Sequence, residues 1–372
     1  MYRRPMGKLI RSFYPALWGV LLLLTGCEQV SPQQQWLQVV ADRIAADYGD
    51  LQRQAGTLSV TLQNYCASPA PEPLAAARDQ WRQTMDAWQR VQWVRFGPIT
   101  ENNDDWKIQF WPDQKNIVSR KAQRLLNTEG PIDAARVADA SVVLQGLSAL
   151  ELLLFDPDYM ANYGLESGEQ TPQGRRQCEL ITAIGKHFAG TTTRVHQAWV
   201  DSGIRQQWQE TSAAPDHSGK GPMAEVVGAM LSQLEIIKTD KLGAPLGYKS
   251  RSHTPNGYFS ESWRSQSSLR NIWVSLQTLY SLAKHPEHYD LEQLLQQTGH
   301  GELAADLDMA FAVALQTLAD IQQPLVTAVA DSTGRQQVVV LHQAIAQLNS
   351  RFKQQLAPAL GISLGFNAND GD

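Results

Sequence analysis

The chain has 372 residues, of which 43% are hydrophobic and 19% are charged. This length suits one large domain or two ordinary ones, and the apolar content supports a substantial core. The net charge of −5 at pH 7 becomes −9 without the first 26 residues, which hold four basic side chains and no acidic one. An acidic mature chain disfavours nucleic acids as partners and is compatible with cations.

The N-terminus has the pattern of a lipoprotein signal peptide over residues 1–26. Four basic residues accompany an apolar core over Ala16–Leu24, and the letters LTGC end at Cys27. The apolar run is too short for an ordinary membrane span. We predict cleavage before Cys27 and lipidation of that residue, with palmitate among the acyl chains; an ordinary secretory signal with a chance cysteine is the alternative. Glu28 favours the outer membrane, with the protein facing the periplasm.

Two cysteines remain when Cys27 is assigned to the lipid anchor. Cys66 and Cys178 form an even pair in an oxidising compartment, which favours a disulfide between them. Two separate thiols are the alternative. A metal site is less favoured because neither residue has a neighbouring CxxC or CxxxH spacing.

From Pro32 onward, apolar residues recur every three or four positions, which predicts an all-α protein with long irregular links. No stretch has the alternation that is typical of a β-strand. Asp113 is expected to cap the helix that it precedes. The predicted helices are a first one from Pro32 to before Pro69, then Leu74–Arg95, Asp113–Leu126, Ser141–Phe155, Gln173–Trp208, Met223–Lys238, Glu261–Leu282, Leu291–Gln297, Leu303–Val329 and Gln336–Leu356.

The segment Ser141–Phe155 is apolar on nearly every side, as expected of a helix that protein surrounds completely. Gln145, Ser148 and Glu151 recur every three positions and therefore form one polar stripe on this helix. An ionised glutamate out of water costs several kcal/mol unless it meets a cation, a metal or hydrogen-bond donors. Glu151 thus predicts either an arginine partner in the core or a functional site.

A second segment repeats this pattern. Residues 142–153 align without gaps to residues 226–237, so that Ser148 matches Ser232 and Glu151 matches Glu235. A chance match of short apolar helices is one explanation. The other is that two helical bundles each contribute a central helix with the same Ser-x-x-Glu face.

The letters GLSALE, at Gly146–Glu151, resemble the GxHxxE motif of the imelysin-like family, which is also called the imelysin peptidase family. FGPI at 96–99, FWPD at 110–113 and SRS at 250–252 resemble its lipoprotein branch, in the expected order. The resemblance implies two packed helical bundles, here 27–212 and 213–372, and a role in iron uptake or handling. This chain departs from the motif at Ser148, where the family has histidine.

In the family motif, histidine and glutamate three residues apart converge on one point, which suits iron or another divalent metal. A neutral serine hydroxyl is a poor ligand for such metals, so Glu151 alone makes a weak site. His253 would be a replacement ligand from the second bundle, unless it is an ordinary surface histidine. We expect a basic face, including Lys249 and Arg264, to close over Glu151 as a cleft or as an interface of Arg–Glu pairs. The candidate cleft residues are Gln145, Ser148, Glu151, Asp113, Arg251, Arg270 and Glu235.

Catalysis is not expected. A zinc peptidase needs about three protein ligands and a general base, and the sequence has neither HExxH nor HxxEH. Ser148 lacks a neighbouring base and does not lie in GxSxG. The resemblance therefore implies a binding or accessory protein in iron handling. The alternatives are an interaction module that partners a metal-binding imelysin or a redox protein, and, third, a metallopeptidase.

Overall fold

The computed structural model describes residues 30–163, 171–212 and 221–362. The predicted signal peptide and the lipidation site Cys27 lie outside the described residues. Helices connected by turns and loops make up the described ranges, which contain no β-strand. The predicted all-α class is therefore confirmed.

The α-helices of the described residues are numbered in chain order. Helices α1 to α8 are Pro32–Ala67, Pro71–Val91, Asp104–Ile108, Ile117–Leu126, Ala134–Ala138, Leu147–Phe155, Pro157–Tyr163 and Pro172–Asp201. Helices α9 to α16 are Ile204–Ser212, Pro222–Ile236, Ser268–Ala283, Leu291–Gln297, Gly301–Ala319, Leu325–Ala328, Ser332–Arg351 and Ala357–Ala359. Short 3₁₀-helices cover Gly97–Asn103, Val142–Leu144 and Gly257–Phe259, and π-helices cover Ile237–Gly243 and Phe352–Leu356.

Helix α1 is the longest element and packs along α2 and α8. Its buried residues repeat at helical spacing and include Trp36 and Tyr48, so one apolar face runs its full length. Trp81 of α2 is fully buried, and its indole nitrogen donates to the carbonyl of Leu147, 3.0 Å away. This bond fixes the first residue of α6 against α2.

Helices α10, α11, α13 and α15 pack against one another in the C-terminal half. Helix α11 also packs on α2, and the Trp36 indole donates to the carbonyl of Leu282 at 3.1 Å. The described residues from Pro32 onward accordingly form one compact unit with a continuous apolar core. The division into bundles at residues 212 and 213 stays a prediction.

Several predicted helices are shorter or divided in the structure. The predicted helix Glu261–Leu282 begins only at Ser268, as α11, and the predicted helix Leu303–Val329 is divided into α13 and α14. The segment Ser141–Phe155 is a 3₁₀ turn followed by α6, which begins only at Leu147. A Cβ atom on Gly146 would lie 2.2 Å from the Lys107 carbonyl oxygen, so the chain approaches another backbone where a longer helix would continue. The predicted helix Gln173–Trp208 is divided into α8 and α9 at Gly203, whose φ is +60°.

The predicted disulfide is present. Cys66 at the end of α1 is bonded to Cys178 in α8, and the two residues are 112 positions apart in the chain. The bond therefore ties the two longest helices of the N-terminal half together. Within residues 30–163, 171–212 and 221–362, no helix combines the length and the apolar character that a membrane span requires.

Candidate functional site

A cavity of about 350 Å³ lies at the N-terminal half of α6. Its wall is formed by residues of the segment 110–118, by Ser148, Glu151 and Asp156, and by residues of the segment 258–264. The first two groups belong to the N-terminal half of the chain and the third to the C-terminal half. The cavity thus brings together segments that are more than 100 residues apart in sequence.

Glu151 is the most buried acidic residue of this wall, with 7% of its surface exposed. Its Oε1 atom accepts hydrogen bonds from the backbone nitrogen and the hydroxyl of Ser265, each at 2.9 Å. Among the described residues, its Oε2 atom has no hydrogen-bond partner. Burial raises the pKa of Glu151, although the Ser265 hydrogen bonds and the charge of Arg264 oppose the shift. The direct partner of the carboxylate is therefore a serine, where the sequence led us to expect a basic side chain.

Ser148 lies one helical turn before Glu151 and also faces the cavity. Its hydroxyl donates to the backbone carbonyl of Phe110 at 2.9 Å. This bond and the close approach of Gly146 to the backbone of Lys107 and Ile108 hold α6 against the segment that leads into the cavity wall. The serine of GLSALE therefore has a structural partner.

Gln145 lies outside α6 and is not part of the cavity wall. Its amide nitrogen donates to the carbonyls of Ala138 and Ala140, and its oxygen lies 3.0 Å from Nε2 of His187. Burial lowers the pKa of His187, which favours the neutral imidazole in this contact. The polar stripe is thus divided between a structural glutamine and two cavity residues.

Asp113 and Asp156 supply the other carboxylates of the wall. Asp113 accepts from the backbone nitrogens of Ile117 and Val118, at 2.6 and 2.9 Å, so its carboxylate contacts the start of α4. The helix begins four residues later than predicted, and its N-cap position is Asn116. Asp156 accepts from Nε of Arg264 at 2.7 Å. Both carboxylates therefore have protein partners of positive or partly positive charge.

Arg264 also lies over the ring of Trp263, with its guanidinium carbon 4.3 Å from the ring centroid. Its side chain is 17% exposed and that of Asp156 is 13% exposed, so this ion pair is only partly open to solvent. Of the basic residues that the sequence predicted to close over Glu151, Arg264 alone lines the cavity.

Besides Gln145, four further candidate residues do not line the cavity. Arg270 pairs with Asp86 at 3.0 Å, and Glu235 pairs with Lys238 at 2.7 Å, one turn later on the same helical segment. The other two, Arg251 and His253, are exposed. The expected symmetry between Glu151 and Glu235 therefore does not extend to the cavity.

The part of the chain that the structure describes has no group of three or more His, Cys, Asp or Glu side chains that could hold a metal ion. Structural and catalytic metal sites need about three protein ligands. Glu151 offers one carboxylate, and Ser148 donates its proton to Phe110. The residues present therefore do not fit a bare metal ion held by protein ligands alone.

The sequence reading missed a buried ion pair behind the cavity wall. Lys241 and Glu261 are each 1% exposed and lie 2.9 Å apart. Lys241 also donates to the side-chain oxygens of Gln89 and Gln92, at 2.6 and 2.7 Å. Burial lowers the pKa of Lys241. Burial alone would raise the pKa of Glu261, but the charge of Lys241 lowers it, so the carboxyl group stays ionised.

The Lys241–Glu261 pair connects the cavity wall to several other elements of the fold. Lys241 lies in the π-helix Ile237–Gly243, a geometry that is frequent at functional sites. Glu261 lies between Ser260 and Ser262 of the cavity wall. Gln109 donates to Glu261 at 3.0 Å and Asn271 donates to it at 2.9 Å. The ion pair thus anchors the wall segment to α2, to the link before the cavity and to α11.

The family of the chain follows from a comparison with known proteins. The imelysin model (Peptidase_M75) matches residues 44–352. The chain belongs to the imelysin family. It is 27% identical, over 91% of its own length and 91% of the relative's, to iron-regulated protein A of Synechococcus elongatus.

Solved imelysin-like structures support the same fold. One from Psychrobacter arcticum has a TM-score of 0.76 and 23% identity, and the match covers 91% of this chain and 98% of that one. A second structure, from Parabacteroides distasonis, is named as an iron-regulated protein A precursor. It has a TM-score of 0.65 and 16% identity, and the match covers 86% of this chain and 95% of that one. The imelysin fold is therefore shown for this chain, whereas its assignment to a lipoprotein branch with GxSxxE stays a prediction.

Proposed function

We propose that this imelysin is a binding or accessory protein in iron handling, without catalytic activity, that uses the cavity beside Glu151. We also propose that a lipid on Cys27 anchors it to the outer membrane, where it faces the periplasm. The observation that carries the binding role is a buried carboxylate, with one oxygen lacking a protein partner among the described residues, on the wall of a 350 Å³ cavity. The name of the Synechococcus relative, iron-regulated protein A, supports the connection to iron.

The cargo is iron that already carries small ligands, such as a chelator or water. Glu151 supplies one oxygen, and the described residues offer no cluster that would complete a coordination sphere. The cavity volume leaves room for co-ligands around a metal ion. Iron is thus a transported ligand in this proposal and not a resident cofactor.

Two features of the site favour a binding role over peptidase activity. The hydroxyl proton of Ser148 is directed to a backbone carbonyl, and that carbonyl oxygen is not a base that can activate a nucleophile. The ligand set of a zinc peptidase is also missing from the described residues. If the protein cleaved peptides, and if both a chelator and Glu151→Ala abolished this cleavage, the peptidase function would be favoured instead.

The same features favour one second candidate, an interaction module that binds no metal. In that reading, the chain keeps the scaffold and works beside a metal-binding imelysin or a redox protein. The hydrogen bond of Ser148 to Phe110 supports it, because it gives the residue in the motif histidine's place a purely structural contact.

Iron titration separates the two candidates. The mature protein in non-ionic detergent is titrated with Fe(II), with Fe(III) and with a cationic Fe(III) complex of two acetohydroxamates, beside Glu151→Ala and Ser148→His. Stoichiometric binding of the complex by the native protein and its loss in Glu151→Ala is the expected result. No binding by the native protein, with binding gained in Ser148→His, would overturn the binding role and favour the interaction module.

A further inference from the structure

The charges around the cavity are unequal. Its wall carries three carboxylates, those of Asp113, Glu151 and Asp156, and one basic side chain, that of Arg264. Such a wall raises the local concentration of cations and lowers that of anions. The ligand that fits this balance carries positive charge.

Only one of the three carboxylates makes no direct contact with a charged or helix-terminal donor. Arg264 pairs with Asp156, and the helix start at Ile117 and Val118 compensates Asp113. Glu151 accepts direct hydrogen bonds only from the neutral donors of Ser265, while the charge of Arg264 acts on it without a direct bond. A buried carboxylate without a counter-charge raises the free energy of the folded protein. A cation beside the Oε2 atom of Glu151 would therefore be bound favourably.

Aromatic side chains supply the apolar part of the wall. Phe110 and Trp111 line one side of the cavity, and Tyr258, Phe259 and Trp263 line the other. The Tyr258 and Trp263 rings meet edge to face, with centroids 4.8 Å apart. The Arg264 guanidinium already covers one face of Trp263. Aromatic faces that stay open beside a carboxylate attract ammonium groups that carry alkyl substituents, because the rings contact the alkyl groups and the ring quadrupoles attract the charge.

A further polar group on this wall has no partner. Ser260 is 1% exposed, and its hydroxyl makes no hydrogen bond to any described residue. Buried hydroxyls are nearly always paired in folded proteins. This hydroxyl is fully buried, so it is an unsatisfied group inside the wall and not a contact that the wall offers to a ligand.

We propose that the cavity binds a small organic cation, an ammonium group with alkyl substituents, with its charge at Glu151 and its alkyl groups against the aromatic wall. The proposal rests on the binding role proposed above and deepens it by giving the ligand's class. An iron complex would compete with this cation for the Oε2 atom of Glu151. In the absence of iron, the free organic cation binds by the same contacts.

The test compares two probes of equal shape. Choline carries a trimethylammonium group, and 3,3-dimethylbutan-1-ol replaces it by an uncharged tert-butyl group. Calorimetric titration of the mature protein is expected to show choline binding at least about tenfold tighter than the alcohol. Equal affinity for both probes, or no choline binding, would overturn the proposal.

Two sets of variants locate the site. Glu151→Gln, which keeps the oxygen that faces Ser265, is expected to weaken choline binding about tenfold and to leave the alcohol unaffected. Glu302→Gln, at an exposed position of α13, is the matched control and is expected to bind choline like the native protein. Unchanged choline affinity in Glu151→Gln would contradict the assignment.

Tyr258 provides a variant that does not threaten folding, because its side chain is 65% exposed. Tyr258→Ala is expected to weaken choline binding several-fold and Tyr258→Phe to preserve it, because phenylalanine keeps the ring face. Equal affinity of both variants would contradict the aromatic contribution. Neither probe contains metal, so the two proposals can fail separately. Choline binding without iron binding would contradict only the iron role. Iron binding without choline binding would contradict only the present inference.

Discussion

Glu151 shows how a single residue joins the fold to the cavity. Its Oε1 atom is occupied by Ser265, which links α6 to the C-terminal half, and its Oε2 atom has no partner among the described residues. The sequence predicted that this glutamate needs a partner, because a charged group on an apolar helix must be compensated. It could not identify Ser265, which lies 114 positions away and donates through both its backbone nitrogen and its hydroxyl.

The pH dependence of stability gives a prediction for the same residue. Burial raises the pKa of Glu151 in the folded protein above the ordinary 4.5. A carboxyl group with a raised folded pKa favours the folded state most below its unfolded pKa, and this contribution is lost as pH rises through the folded value. Glu151→Gln is therefore expected to be more stable, relative to the native protein, at about pH 7 than at about pH 4.

Urea denaturation at both pH values measures this difference. Glu302→Gln serves as the control, because it makes the same substitution at an exposed position of α13. A Glu151→Gln variant whose relative stability falls on going from about pH 4 to about pH 7 would show that the carboxylate is well compensated in the folded state.

At the scale of elements, the boundary of α6 depends on a close contact that the sequence does not reveal. Gly146→Ala would place a methyl group 2.2 Å from one backbone oxygen and 2.3 Å from another, those of Lys107 and Ile108. We expect it to lower the free energy of unfolding by about 1–3 kcal/mol or more, because backbone must move. Thermal or urea unfolding checks this value.

The matched control is Gly190→Ala, in the exposed part of α8, where a Cβ atom would meet nothing within 4 Å. There alanine is expected to raise stability by up to about 1 kcal/mol through helix propensity. Equal effects of the two substitutions would contradict the role of Gly146 in seating α6.

The π-helix Ile237–Gly243 also carries a testable role, because it places Lys241 against Glu261. Lys241→Met leaves Glu261 buried without its counter-charge and is expected to cost about 3–5 kcal/mol of unfolding free energy. The double variant Lys241→Met/Glu261→Gln is expected to lose less, because no buried charge remains unpaired. A double variant that loses as much as the sum of the two single variants would show that the two side chains do not interact.

Helix existence was predictable from the sequence, whereas several boundaries were not. The apolar period of 3.6 residues predicted both ends of α12 correctly, because packing and local helix propensity agree there. Periodicity does not report breaks that depend on a glycine of positive φ, as at Gly203, or on a π-helix, as after Ile236. The Lys241–Glu261 pair was missed for a related reason, because its partners come from four separate elements.

At the scale of the whole molecule, the disulfide and the α2–α11 contact hold distant segments in one unit. Cys66 and Cys178 were predictable as a pair because only two cysteines remain after the lipidation motif. Their replacement, Cys66→Ser/Cys178→Ser, removes a link across 112 positions and is expected to cost roughly 4–5 kcal/mol in the chain-entropy model. Urea unfolding of this variant against the oxidised native protein is the measurement, and equal midpoints would contradict the prediction.

The arrangement of the whole molecule places the cavity where residues of its two halves meet. Family resemblance led to the expectation of a cleft around GLSALE, and the structure places Ser148, Glu151 and Asp113 on one cavity wall. Arg251, Arg270, His253 and Glu235 lie elsewhere, because sequence proximity to a motif does not determine which side of a loop or helix faces the cavity.

The most direct test of the cavity's role is an anomalous diffraction map at the iron edge. Crystals of the mature protein are soaked with the cationic Fe(III) acetohydroxamate complex, and the native protein is compared with Glu151→Gln. The account predicts an iron peak inside the cavity beside Glu151 that is absent or much weaker in the variant. A peak only at another place, or no peak in the native protein under conditions that saturate binding in solution, would contradict it.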